Sequence, residues 1–190
     1  KNMSVIVYIE SDNGTIKKAA LEVASYGRAL ANTLNTSLSA VVFSSENSEL
    51  LGKYGVDKVL TVDFSEKFNA KIYADIITQA AQKEQASVVV LSSSADSRYL
   101  APMLSVGLDA GYVPNVIELP TQTQPFTVKR SVFSNKAFCE TEITTEVKII
   151  GLSNNAFGLV EHAVSPHTES FSPSIIASEI TVENIDKAAN

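Results

Sequence analysis

Residues 88–119 read VVVLSSSADSRYLAPMLSVGLDAGYVPNVIEL. Val88 to Leu91, with Ala86 ahead of them, form an apolar run; three serines follow, then a segment of helical apolar periodicity, then a short apolar run at Val116 and Ile117. The order is strand, polar loop, helix, strand. A continuous apolar run, as opposed to an alternating one, marks a strand covered on both faces, the pattern of parallel sheets. The loop from Ser92 to Ser97 is therefore expected at the carboxyl end of a central strand, where open α/β sheets place ligands or partners. Pro102 fits the helix that follows this loop only if that helix begins near Tyr99 or is kinked there.

Working outward, Ser4 to Ile9 is a first strand ended by the turn cluster Glu10–Gly14. From Ala20, the residues Val23, Ala24, Gly27, Leu30, Ala31 and Leu34 recur at helical spacing, with Lys17, Lys18, Glu22, Arg28 and Asn32 mostly opposite. Gly27 within that stripe predicts close helix-to-sheet packing. Leu38 to Phe43 and Lys58 to Val62 are two more strands, separated by a short helix over Ser48 to Tyr54 that Gly55 stops. Asn69 caps an amphipathic helix carrying Tyr73, Ile76, Ile77, Ala80 and Ala81. Alternating strands and helices imply right-handed βαβ units, a doubly wound, mostly parallel sheet of expected order 3-2-1-4-5. In that order the Glu10–Gly14 and Ser92–Ser97 loops share one crevice.

After Pro120 the pattern changes. Phe126 to Phe133, Ala137 to Thr144 and Glu146 to Leu152 read as an antiparallel three-stranded meander (126–152) joined by very short turns. The expected division is an α/β domain over 3–152 and a Ser/Pro-rich arm over 153–190, anchored by Phe157, Phe171, Ile175 and Ile176. Phe126, Phe133, Phe138, Phe157 and Phe171 are many aromatics for a region outside the main sheet, and point to a surface for a partner.

Composition narrows the function classes. With 190 residues, 45% hydrophobic, the chain can bury one sizeable core, and a net charge of −6 leaves no electrostatic footprint for nucleic acid. A single cysteine supports neither an internal disulfide nor a metal-ligand set, and no apolar run is long enough to span a bilayer. The expectation is a soluble protein of a reducing compartment, cytoplasmic in a bacterium or in the mitochondrial matrix of a eukaryote.

Candidate chemistry is sparse. Neither GxGxxG nor a Walker loop occurs, and eight glycines are scattered without forming a phosphate cradle. Ser92, Ser93 and Ser94, with Asp96 and Arg98, are the crevice-loop candidates: the serines either bind an anion or cap the helix, and the two charges either bind a ligand or pair with each other. His162 and His167 have no ligand partners at metal spacing and read as solvated. Cys139 shares a strand face with Ala137 and Ile143 and reads as a buried apolar thiol. Lys129 and Arg130 form a small basic spot. Nothing assembles an acid, a base and a nucleophile, so the chain is not expected to be an enzyme, nor to bind AMP or ATP tightly.

The stretches VIVYIESDNGTIKKAALEVASYGRALA, SVVVLSSSADSRYLAPMLSVGLDAGYVPNVIEL and FTVKRSVFSNKAFCETEITTEVKIIGLSNNAF together resemble the electron transfer flavoprotein alpha subunit, over roughly the first 157 residues. The resemblance implies a Rossmann-like fold of the adenine nucleotide alpha hydrolase type and the role of an amino-terminal scaffold and subunit-interface domain. It also implies a beta subunit as partner and one FAD in the full heterodimer. That heterodimer would carry electrons from flavin dehydrogenases, such as the acyl-CoA dehydrogenases of fatty acid β-oxidation, to a quinone oxidoreductase. The family's flavin signature, a valine-rich strand and a Gly-Arg-Gly loop, does not follow Val182. On that ground 153–190 is expected to be a linker toward an absent FAD-binding domain, and this chain alone is expected to carry no FAD. The alternative is a free-standing adenine-nucleotide module of universal-stress-like architecture.

Overall fold

The computed structural model describes residues 4–44, 47–64 and 68–175. The expected anchor Ile176 and the rest of the arm, 176–190, lie outside the described residues, as do the three residues before Ser4. In chain order the elements are β1 (Ser4–Ile9), β2 (Ser11–Asp12), β3 (Thr15–Ile16), α1 (Lys18–Thr33), β4 (Leu38–Phe43), α2 (Leu50–Lys53), β5 (Lys58–Val62) and α3 (Ala70–Lys83). There follow β6 (Ala86–Leu91), α4 (Ala95–Leu108), β7 (Gly111–Val116), β8 (Gln122–Thr123), β9 (Phe126–Val132), β10 (Ala137–Glu142), β11 (Lys148–Leu152) and β12 (His167–Ser170).

A large, mostly parallel sheet runs in the order β10-β9-β7-β11-β6-β1-β4-β5-β12, with β8 paired to β9 at one end. The mixed α/β class expected from the periodicity is the observed one, and β5-β4-β1-β6 reproduces the 3-2-1-4 part of the expected order. The next strand does not. β11, expected as the third strand of the meander, leaves the antiparallel hairpin of β9 and β10 and inserts parallel between β6 and β7. Burial explains why: Lys148–Leu152 is buried at every residue, whereas β10 alternates between half-buried and exposed. A strand covered on both faces belongs in the middle of a sheet, and a one-sided strand belongs at its edge. The turn before β11 is held accordingly, with Gly111 N–H donating to Thr145 Oγ1 at 2.8 Å and Lys148 Nζ donating to the Thr145 and Glu146 carbonyls.

The sheet separates two cores. On one face α1 and α2 cover Val5, Val7, Ile9, Val88, Val90 and Ile150; on the other α3 and α4 cover Ile6, Tyr8, Val89, Leu91 and Ile149. Gly27 brings α1 against the sheet as predicted, since a Cβ there would lie 2.6 Å from Val7 Cγ1 and 2.9 Å from Leu38 Cδ1. Asn69 caps α3 by accepting from the Lys71 and Ile72 amides. α4 begins at Ala95 and runs through Pro102, so the expected start near Tyr99 is not adopted. The Arg98 carbonyl forgoes its intrahelical donor instead.

The arm is bound along its described length. Glu22, grouped with the residues mostly opposite the apolar stripe, is 5% exposed, and its carboxylate accepts from the Asn155, Phe157 and Gly158 amides at 2.8–3.0 Å. Phe157 meets Tyr26 edge-on, and β12 adds a parallel strand beside β5. His162 and His167 have exposed side chains, while their amides donate to the Lys53 and Asp57 carbonyls.

Candidate functional site

The winding of the sheet decides where a site can form. β1 leads into α1 on one face and β6 leads into α4 on the other, so a crevice opens between the carboxyl ends of β1 and β6. Both expected loops meet there. What fills the crevice is Glu10, the residue directly after β1, at 3% exposure. Its Oε2 accepts from Ser92 Oγ at 3.1 Å, and its Oε1 accepts from Ser97 Oγ at 3.0 Å and from Ser94 Oγ. Ser94 is also the N-cap of α4, accepting from the Ser97 amide at 3.0 Å, and Ser92 Oγ accepts from the Ser94 amide. Ser94 thus does cap the helix, and Ser92 and Ser94 donate to an anion, the chain's own carboxylate.

This arrangement has a chemical consequence. A phosphate approaching the crevice would meet a buried carboxylate whose hydroxyl donors are already engaged, and like charges at such range repel strongly where water is scarce. Gly27 and Gly151 are committed to packing, since each would bring a Cβ within 2.9 Å or less of neighbouring side chains. Glu10 escaped sequence reading because it resembles one more polar residue of a turn. The usable signal was its place immediately after a buried strand, facing a serine loop across the switch point.

The five crevice-loop candidates separate. Ser92 and Ser94 face Glu10, whereas Ser93 donates to the Leu152 carbonyl at the end of β11. Asp96 stays on the Glu10 side, where burial raises its carboxyl pKa, with Lys17 opposing and Glu10 adding to the rise. Arg98 turns away toward the hairpin of β9 and β10 and lines a polar cleft of 370 Å³. Asp96 and Arg98 do not pair with each other among the described residues.

Other candidates resolve as follows. Cys139 is half-buried, not buried, and Arg130 Nε donates to its Sγ at 3.4 Å, which lowers the thiol pKa. The thiol thus meets a guanidinium instead of a core. Lys129 pairs with Glu118 at 3.3 Å and lies over the Phe138 ring. Of the five phenylalanines, Phe126 is buried and Phe157 and Phe171 pack against the cores, leaving Phe133 and Phe138 at 80% and 60% exposure. Among the described residues no group of His, Cys, Asp or Glu could hold a metal, and no helix is long and apolar enough to cross a membrane.

Comparison with known proteins places these features. A family model described as "Electron transfer flavoprotein domain" matches residues 5–181. Curated relatives include "Acryloyl-CoA reductase electron transfer subunit beta" of Anaerotignum propionicum, 24% identical over 80% of this chain and 43% of the relative. "Protein FixB" of Clostridium saccharobutylicum is 23% identical over 63% of this chain and 37% of its own length. "Electron transfer flavoprotein subunit alpha" of Clostridium acetobutylicum is 26% identical over 60% and 36%. The chain thus spans about two fifths of the length of the curated relatives it matches.

Proposed function

This chain belongs to the electron transfer flavoprotein domain family, and on that premise we propose that it is the amino-terminal scaffold and subunit-interface part of an alpha-type subunit. The observation that carries the reading is the closed crevice. A fold whose usual ligand position is sealed by its own Glu10 and three serines is suited to holding partners in place, and not to nucleotide chemistry. For the same reason a free-standing nucleotide module is the weaker reading.

A sheet edge that no described strand covers supports the interface role. In the β9–β10 ladder the Ile143 amide bonds the Phe126 carbonyl, so pairs of the same parity carry the ladder bonds and the backbone groups of Phe138, Glu140 and Glu142 face outward. Beside them stand the exposed rings of Phe133 and Phe138. Exposed edges with aromatic residues are common points of association. The partner is a beta-type subunit. The relatives' names divide between alpha and beta, and the alpha assignment rests on the three stretches quoted above.

The family is associated with flavin and with electron carriage. The described residues do not fit a flavin: the crevice holds a carboxylate, and no pair of glycines forms a pyrophosphate loop. We therefore assign FAD to the complete heterodimer, outside these residues, with 153–190 leading toward the flavin-holding part. The complete protein would relay electrons from flavin dehydrogenases, acyl-CoA dehydrogenases among them, to a quinone oxidoreductase.

Co-expression with the matching beta-type subunit tests this. The two chains should co-elute, and the chain alone should be colourless and unchanged in the visible by anaerobic dithionite. Clean separation of the two at micromolar concentration would defeat the interface role, and a yellow chain with stoichiometric flavin would defeat the cofactor assignment.

A further inference from the structure

The insertion of β11 beside β6 creates a second place where neighbouring strands send their chains to opposite faces. β6 leads into α4 on one face; β11 leads into the 153–158 loop, which Glu22 and Tyr26 hold on the other. A crevice between carboxyl ends of this kind is where open α/β sheets bind ligands. The first is sealed by Glu10, and the second is open. It is the 370 Å³ cleft lined by Ser93 after β6, Ser153 and Asn154 after β11, Asn115 at the end of β7, and Arg98 in the first turn of α4. Ser131 and the hairpin turn close its far side.

We propose that this cleft is a binding site for a phosphate-bearing small molecule, its phosphoryl group held by Arg98. Three independent observations carry the proposal. No Asp or Glu among the described residues lines the cleft, in a chain whose net charge is −6. The Arg98 guanidinium has no hydrogen-bond or ion-pair partner among the described residues, while Arg28 is paired with Asp57 and Arg130 with Cys139. Ser131, at 4% exposure, lines the cleft, so one polar wall of it is a side chain held in place by its surroundings.

The chemistry selects phosphate over carboxylate. Arg98 offers a planar fork, and Asn115, Ser131, Ser134, Asn135, Ser153 and Asn154 surround it with hydroxyls and amides. A carboxylate's two oxygens are satisfied by the fork alone, whereas a phosphoryl group has further oxygens for the hydroxyls and amides. The cleft volume lies in the lower part of the range for small-molecule pockets, roughly 300–1,000 Å³.

The test is an amide-shift NMR titration of the full chain with inorganic phosphate, at low ionic strength held constant with chloride. Saturable shifts are expected at Ser134, Asn135, Ser153 and Asn154, with a Kd of about 1 mM or tighter. Arg98→Gln should weaken binding about tenfold or more, and Ser131→Ala, which changes no charge, should weaken it severalfold. Lys71→Gln, a comparable loss of charge on α3, should bind as the unaltered chain does. Non-saturating shifts, equal binding by Arg98→Gln, an equal loss in Lys71→Gln, or tighter binding of malonate than of phosphate would overturn the assignment.

Discussion

Replacing Glu10 with alanine tests the closed crevice directly. The change removes three serine-to-carboxylate hydrogen bonds and leaves a space at a residue that is 3% exposed. A hydrogen bond to a charged group contributes about 1.5–3 kcal/mol net. The three are not additive, and holding the carboxylate out of water takes back several kcal/mol of the gross gain. We expect Glu10→Ala to lose about 2–4 kcal/mol of stability, which for a chain of this size lowers Tm by about 4–16 °C. Glu10→Gln keeps the shape and can still accept from Ser94 and Ser97 on its amide oxygen while its NH2 group faces Ser92. Its loss should be smaller, about 1–2 kcal/mol. Urea unfolding at pH 7 measures both, with an unchanged m-value confirming that the folded state is the same. A cycle with Ser97→Ala should show a coupling of about 0.5–3 kcal/mol. The reasoning fails if Glu10→Ala lies within ~0.5 kcal/mol of the parent, or if Glu10→Gln is the more damaging change.

Four further outcomes follow from the geometry. Gly27→Ala should destabilise by about 1–3 kcal/mol through overpacking against Val7 and Leu38, outweighing the gain of roughly 1 kcal/mol in helix propensity, as read by urea unfolding. Glu22→Gln should speed amide exchange at Asn155, Phe157 and Gly158, and unchanged exchange would mean that the carboxylate does not hold the loop. Lys83 and Lys58 hold the Glu169 carboxyl down to about 2. Because that folded-state pKa is depressed, the stabilisation is present above the ordinary carboxylate range and lost as pH falls toward 2, so β12 amides should lose protection in that window and not between pH 5 and 7. Arg130 lowers the Cys139 thiol pKa, so Arg130→Gln should shift the pH–rate profile of iodoacetamide alkylation upward; an unmoved profile would remove Arg130 as the cause.

Local periodicity was enough for much of this protein. Val88–Leu91, the stripe through Gly27 and the Asn69 cap each announce their element through spacing, because burial on a strand or helix imposes a period on neighbouring residues. The meeting of Glu10 with the serine loop was also legible as far as the two loops go, since the winding of β1 and β6 brings them together. The tertiary structure alone decided the rest. Lys148–Leu152 follows an antiparallel hairpin by a few residues, yet its partners are Val88–Leu91 and Gly111–Val116, and no local pattern names partners so distant in sequence. With that insertion came the second crevice, so Arg98, adjacent in sequence to the Glu10 network, ended in a different site. The burial of Glu22 and Glu10 was not legible for one shared reason: a carboxylate's burial depends on which donors the distant chain brings to it, and those donors, backbone amides in one case and serine hydroxyls in the other, are assembled only by the fold.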